Sequence, residues 1–174
     1  MQYQQLESRG KRVWYNNRVM RLTIEFLCPT AEATGQVAAK IGRLLKGGEV
    51  VELLSDLGGG KTTFVKGLAK GMGVTDVVQS PTFTLSQIHQ ADHGLELHHY
   101  DFYRLSEAGI MRAELAESLS QPNAVVAIEW GEIVHDVLPE RHITIRILTS
   151  AVGEARRIVI ALPKEQAYLK EAAQ

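Results

Sequence analysis

One stretch leaves this chain little freedom in how it folds: Asp56-Leu57-Gly58-Gly59-Gly60-Lys61-Thr62-Thr63. The apolar run Val50-Val51-Glu52-Leu53-Leu54 precedes it and a helical pattern, Phe64-Val65-Lys66-Gly67-Leu68, follows. Strand, glycine loop, Lys-Thr and helix make the layout of a phosphate-binding P-loop. Glycines let successive backbone N–H groups, here from Leu57 to Thr63, turn inward around an anion. A helix N-terminus adds unpaired donors and a positive dipole end. Lys61 would reach the β- and γ-phosphates, and Thr62 would offer its hydroxyl to Mg²⁺. The plain alternative is a glycine-rich turn before an ordinary helix; the flanking strand and helix favour a nucleoside triphosphate site. Ser55 stands where the full pattern has its first glycine. A small residue with β-region dihedrals suits that position, whereas Gly60 is the harder one to replace.

The chain has 174 residues, enough for one α/β domain with a real core. A net charge of −1 offers no broad nucleic-acid footprint, so any RNA contact would be local or made through a partner. A single cysteine, Cys28, excludes an internal disulfide and suits a reducing cytoplasm. No apolar run approaches the roughly 20 residues of a membrane span, and the first nineteen residues lack the apolar core of a signal peptide. Residues 1–19 read as a polar extension without periodicity, flexible if native; Met20 is favoured as the true start. Residues 20–174 read as one domain, with no internal repeat and no linker.

Leu22 to Leu27 alternates as a strand. Pro29-Thr30 opens a helix whose apolar face, Val37, Ile41, Leu44 and Leu45, runs to Gly47-Gly48. Glu49 to Leu54 is predicted as a central parallel strand, and the next helix spans about Lys61 to Met72, closed by Gly73. Phe83 to His89 and Leu95 to Asp101 are predicted as a hairpin around Gln90–Gly94. A helical region, Ser106 to Leu119, follows. Ala124 to Ile128 is the most apolar run and reads as a buried strand ending at Glu129-Trp130. Beyond Pro139, His142 to Leu148 and Arg156 to Leu162 form a second hairpin around Val152-Gly153, and Pro163 starts a short helix. The expected fold class is α/β, a three-layer P-loop NTPase-like fold with a mixed central sheet.

A P-loop needs a metal-holding carboxylate and a group that orients the attacking water. Glu129 closes an apolar strand, where open α/β sheets place their ligands; a solvent-facing glutamate at a strand end is the bland alternative. Asp101 ends the first hairpin among aromatics, and could equally cap a helix or pair with Arg104. Ser80, Thr82 and Thr84 put hydroxyls on a loop stiffened by Pro81; from composition alone they read as a turn and a strand start. The six histidines form no metal set, and adjacent His98 and His99 point to opposite faces of a strand. Trp130 reads as near nucleotide or partner, or as half-buried core.

With these residues in hand, the chain resembles the bacterial TsaE family, the ATPase of tRNA threonylcarbamoyladenosine synthesis. The matching pieces are Ser55-Asp-Leu-Gly-Gly-Gly-Lys-Thr-Thr63, Ser80-Pro-Thr-Phe-Thr-Leu85, Tyr100-Asp-Phe-Tyr-Arg-Leu105 and Glu129-Trp-Gly-Glu132. The P-loop is shared by many families; the other three blocks together are far more specific, and the likeness runs from about Met20 to the last hairpin. Ser55 and the extra N-terminus are departures, and Ser55 would weaken nucleotide affinity. The resemblance implies that Lys61 and the loop amides hold phosphates, that Thr62 and Glu129 hold Mg²⁺ with Asp101 nearby, and that Ser80 to Leu85 is a switch-like loop. It sets Thr30 and Arg156 near the nucleotide. It also implies two partners, TsaB and TsaD, whose heterodimer activates slow ATP hydrolysis to support repeated turnover. The tRNA, modified at the adenosine next to the anticodon in tRNAs reading codons that begin with A, would be met only through that complex, and no membrane is involved. A P-loop small-molecule or nucleoside kinase is the rival reading, though no Arg-rich lid segment is present. A third is a nucleotide-dependent interaction module whose turnover is incidental; without an Asn-Lys-x-Asp motif it would not be a GTPase.

Overall fold

The computed structural model describes residues 3–8, 11–16, 21–149 and 154–173. Two strands, β1 (Tyr3–Ser8) and β2 (Lys11–Asn16), pair antiparallel as a separate two-stranded sheet, in a segment whose sequence suggested no element. The larger sheet takes its first strand in sequence from β3 (Arg21–Cys28), followed by helix α1 (Ala31–Gly42) and β4 (Val50–Leu54). Helix α2 (Lys61–Met72), the hairpin β5 (Ser86–Gln90) and β6 (Glu96–Asp101), and helix α3 (Met111–Ser120) come next. Strands β7 (Ala124–Glu129), β8 (Ile143–Thr149) and β9 (Arg156–Pro163) complete a seven-stranded mixed sheet in the order β3-β9-β8-β4-β7-β6-β5. The expected α/β, three-layer, P-loop NTPase-like class holds.

Side-chain alternation divides the core. On β4 and β7, Val51, Leu53, Val125 and Ala127 face α1 and α2, while Val50, Val126 and Ile128 face α3. β7 is buried along its whole length because it lies between β4 and β6, parallel to both.

Helices α1 and α2 meet through glycine. A Cβ added at Gly67 would lie 2.5 Å from Gly35 O and 2.6 Å from the Ala38 Cβ; one at Gly71 would lie 2.2 Å from Ala39 O; one at Gly42 would lie 2.3 Å from Leu68 O. The backbones therefore touch with no side chain between them, as the absence of Cβ permits.

Several boundaries differ from the sequence reading. α1 stops at Gly42, and Leu44 and Leu45 continue in a tightened turn (Leu44 N to Ile41 O 2.9 Å, Leu45 N to Gly42 O 3.3 Å). Phe83 is no strand residue: residues 82–84 form a turn, Phe83 is 82% exposed, and the strand starts after Leu85, whose φ is +67°. α3 begins at Met111 rather than Ser106, after Gly109 in the left-handed region at φ +48°. Pro163 is the last residue of β9, and a 3₁₀ segment, Lys164–Ala173, follows it. The turn around Val152-Gly153 lies outside the described residues. No helix among the described residues is long and apolar enough to cross a membrane.

Candidate nucleotide site

Parallel strands β4, β7 and β6 end side by side, with Leu53 opposite Glu129 and Glu129 opposite Asp101. The chain leaves β4 into the glycine loop, and α2 starts beneath it. Gly58 (φ +74°) and Gly60 (φ +109°) take left-handed backbone, which a side chain at either position would strain. Ser55 keeps a negative φ, as a small residue there requires. Its side chain occupies space beside Gly59, where an added Cβ would come within 2.6 Å of the Ser55 Oγ.

A cavity of about 240 Å³ opens here, walled by the loop from Leu57 to Thr63, by Ser80, Thr82, Asp101 and Tyr103, and by Glu129 and Trp130. Lys61 sits at its neck, only 5% exposed. Its ammonium donates to Ser55 O (2.9 Å), Asp56 O (3.1 Å) and Ser55 Oγ (3.2 Å), and lies 4.0 Å above the Trp130 ring. Burial pushes its pKa down, and the carboxylates of Glu129 and Asp101 pull part of that shift back. A desolvated ammonium held by neutral oxygens and a π-face is ready to take an anion.

The Thr62 hydroxyl lies 3.1 Å from Glu129 Oε1 and 3.4 Å from Oε2. Glu129 is 3% exposed. A hydroxyl beside a buried carboxylate is a pair of hard oxygen donors of the kind divalent cations take. Among the described residues no group of three or more His, Cys, Asp or Glu converges, so a cation here would complete its shell with water or ligand oxygens.

Asp101 is committed differently. Its Oδ2 accepts from the Ser80 hydroxyl at 2.8 Å and from the Thr82 hydroxyl, and its Oδ1 accepts from Tyr103 N at 3.0 Å. The Ser80 and Thr82 hydroxyls also lie 2.6 Å apart. The loop therefore hangs from the carboxylate at the end of β6. Thr84 lies outside this clasp and is exposed. Trp130 takes left-handed dihedrals (φ 59°, ψ 47°), which swing its ring over Lys61 and against Tyr103, ring centroids 5.0 Å apart. A bulky residue in that region is strained, and such strain gathers at functional sites.

Thr30 and Arg156 are not walls of the cavity. The Thr30 Oγ1 accepts from Ala33 N at 3.2 Å and caps α1. Arg156 donates from Nε to Gly59 O at 3.2 Å and from Nη1 to Glu154 O at 2.8 Å, bracing the glycine loop from β9. Two contributors escaped the sequence reading. Tyr103 is a wall of the cavity, and His99 Nε2 lies 2.9 Å from Glu129 Oε1. For Tyr103 the signal was its place in the aromatic run after Asp101. His99 shares a strand face with Asp101, two residues on, but only the β6–β7 register reveals its partner.

The family described as "Threonylcarbamoyl adenosine biosynthesis protein TsaE" matches residues 28–158. A tRNA threonylcarbamoyladenosine biosynthesis protein TsaE of Treponema pallidum is 41% identical over 133 residues, 76% of this chain and 96% of that protein. The TsaE protein of Bacillus subtilis is 36% identical over 128 residues, 73% of this chain and 78% of that one. Among solved structures, the crystal structure of Bacillus subtilis YdiB superposes with a TM-score of 0.71 at 28% identity, covering 88% of this chain and 96% of YdiB. The chain thus belongs to the TsaE family of tRNA threonylcarbamoyladenosine biosynthesis proteins.

Proposed function

We propose that this chain is the ATPase of its pathway: it binds Mg·ATP on the Leu57–Thr63 loop, hydrolyses it slowly alone, and is accelerated by a TsaB–TsaD heterodimer. The observation that carries the reading is the Thr62 hydroxyl 3.1 Å from the Glu129 carboxylate, directly below a glycine loop with a buried Lys61 at its neck. When bound, Mg²⁺ would neutralise charge on the β- and γ-phosphate oxygens and fix their orientation. Thr62 and Glu129 would hold it, with Asp101 nearby. The Lys61 ammonium exchanges three neutral oxygens for phosphate oxygens, and the amides of Gly58 to Thr63 face the same anion. Trp130 and Tyr103 wall off water beside the reacting phosphate. Lys61 is the one cation among the described residues that line the cavity, and Arg156 is braced against Gly59 O on the loop, so a second stabilising cation is assigned to the partner complex. The tRNA is met through that complex, and the work is cytoplasmic, in keeping with one buried, unpaired Cys28.

The test is phosphate release from Mg·ATP by the chain alone and with the heterodimer, using Lys61→Ala as control. Removing one preorganised electrostatic donor costs about 3–4 kcal/mol, or some 10²–10³ in rate. Stimulation by the heterodimer that vanishes in Lys61→Ala supports the reading. Equal phosphate release by Lys61→Ala defeats it, and ADP formation without free phosphate in the presence of an acceptor would make the chain a kinase.

A further inference from the structure

Strand β6 carries two adjacent histidines with opposite duties. His98 turns toward α3, its Nδ1 2.7 Å from the Ser118 hydroxyl and its Nε2 3.0 Å from Glu96. His99 turns toward α2 and is completely buried, its Nε2 2.9 Å from Glu129 Oε1. Register explains the reach. His99 is paired with Ala127 and Asp101 with Glu129, so His99 lies diagonally across from Glu129 on the same face. Diagonal neighbours stand about 7–8 Å apart at the backbone, a gap that an imidazole and a glutamate can close together.

We propose that His99 is a positioning residue: it pins Oε1 of Glu129 so that the carboxylate presents Oε2 to the divalent cation carried with the nucleotide. The inference rests on the Mg·nucleotide reading above and adds to it a residue that contacts neither metal nor phosphate. Three observations carry it. An ionised carboxylate only accepts, so His99 Nε2 bears the hydrogen of this bond. His99 Nδ1 is buried with no partner, and a hydrogen placed there would be left unsatisfied, so the ring is held in the Nε2–H tautomer. Oε1 also receives the shorter of the two Thr62 contacts, 3.1 Å against 3.4 Å to Oε2, so Oε1 is the more firmly held oxygen and Oε2 the less committed one. A glutamate has three rotatable bonds, and a buried one at a strand end is fixed only by what grips its oxygens. Groups that orient a metal ligand from behind are typically worth about 10–100-fold in metal affinity.

The experiment titrates MgCl₂ against the chain with a fluorescent ADP analogue as probe, and repeats the binding in EDTA. His99→Gln and His99→Asn are compared. The Gln amide extends to the place of Nε2; the Asn amide reaches only as far as Nδ1. Both are polar and of similar bulk, and a cooperative thermal transition confirms that each is folded. The expected result is an Mg²⁺ half-point about tenfold or more higher in His99→Asn, recovery toward wild type in His99→Gln, and unchanged ADP binding in EDTA for both. A wild-type Mg²⁺ half-point in His99→Asn overturns the proposal, since a merely structural role moves stability and leaves metal dependence alone; an equal loss in both variants overturns it too, since the donor restored at the Nε2 position by Gln would then not matter. Wild-type protein whose ADP binding ignores Mg²⁺ defeats the nucleotide–metal reading itself, and the inference with it.

Discussion

Replacing Gly67 by Ala tests whether the glycine contact between α1 and α2 sets the geometry beneath the site. The new methyl would meet Gly35 O at 2.5 Å, the Ala38 Cβ at 2.6 Å and Gly35 Cα at 3.1 Å. Two of those atoms are backbone and the third is a Cβ, so no rotamer change relieves the overlap. The helices must part by about 1 Å to regain ordinary contact near 3.5 Å. Parting them loosens Ala38, Phe64, Val65 and Leu68, all at 0% exposure. Overpacking of this kind costs about 1–3 kcal/mol, here toward the upper end, while Ala returns about 1 kcal/mol of helix propensity. The net is a loss of about 2 kcal/mol, or a Tm lower by about 4–8 °C for a chain of this size. Gly35→Ala, in the facing helix, is the control: nothing lies within 4 Å of its added Cβ. The same propensity gain then stands unopposed, about 0.5–1 kcal/mol and a small rise in Tm. Thermal and urea unfolding followed by circular dichroism reads both. Gly67→Ala at or above wild-type stability would refute the backbone contact, whatever Gly35→Ala does.

Ser118→Ala strips the partner shared by His98 Nδ1 and Tyr100 Oη, both 2.7 Å from its hydroxyl in a buried pocket; urea unfolding should show a loss of about 1–3 kcal/mol. Tyr168 donates to the buried Glu49 carboxylate, and burial with that bond pushes its pKa well above the ordinary tyrosine value. A raised folded-state pKa means the contribution is complete below about pH 10 and is lost as pH climbs toward the folded value. The stability gap between wild type and Tyr168→Phe should therefore hold steady up to about pH 10 and shrink above it; a gap that stays constant above pH 10 would contradict the assignment. Thr82→Val removes one of the two hydroxyls that hold the loop to Asp101, and amide exchange across residues 80–85 should speed up while α2 stays protected.

Local signals carried the sequence reading where a single segment decides its own fate. α2 runs from Lys61 to Met72 as expected because glycines bracket it: Gly60 caps its start at φ +109° and Gly73 its end at φ +83°. β7 was legible because a strand with neighbours on both edges and helices on both faces has nowhere to put a polar residue until it ends at Glu129. Errors fell where distant groups decide. α1 stops short of Gly47 and folds Leu45 back into the core through a turn that its apolar spacing imitates. Phe83 looked like a strand residue by type, yet its loop is pulled toward Asp101, and its ring stacks on Arg104 at 4.1 Å. Alternation put His98 and His99 on opposite faces correctly, but which face meets Glu129 depends on the register between β6 and β7, which neither segment encodes alone.

The two sides of the cavity differ in compliance. Its floor belongs to a helix seated on its neighbour backbone to backbone, with no cushion of side chains to compress, so α2 cannot slide or tilt without lifting off α1. The facing wall hangs from a carboxylate by two hydroxyls, a fastening that rotates and releases at the cost of a few hydrogen bonds. Among the described walls of the cavity, the glycine loop rests on the stiffer support, and the segment from Ser80 to Leu85 is the one fastened by side-chain hydrogen bonds that can exchange.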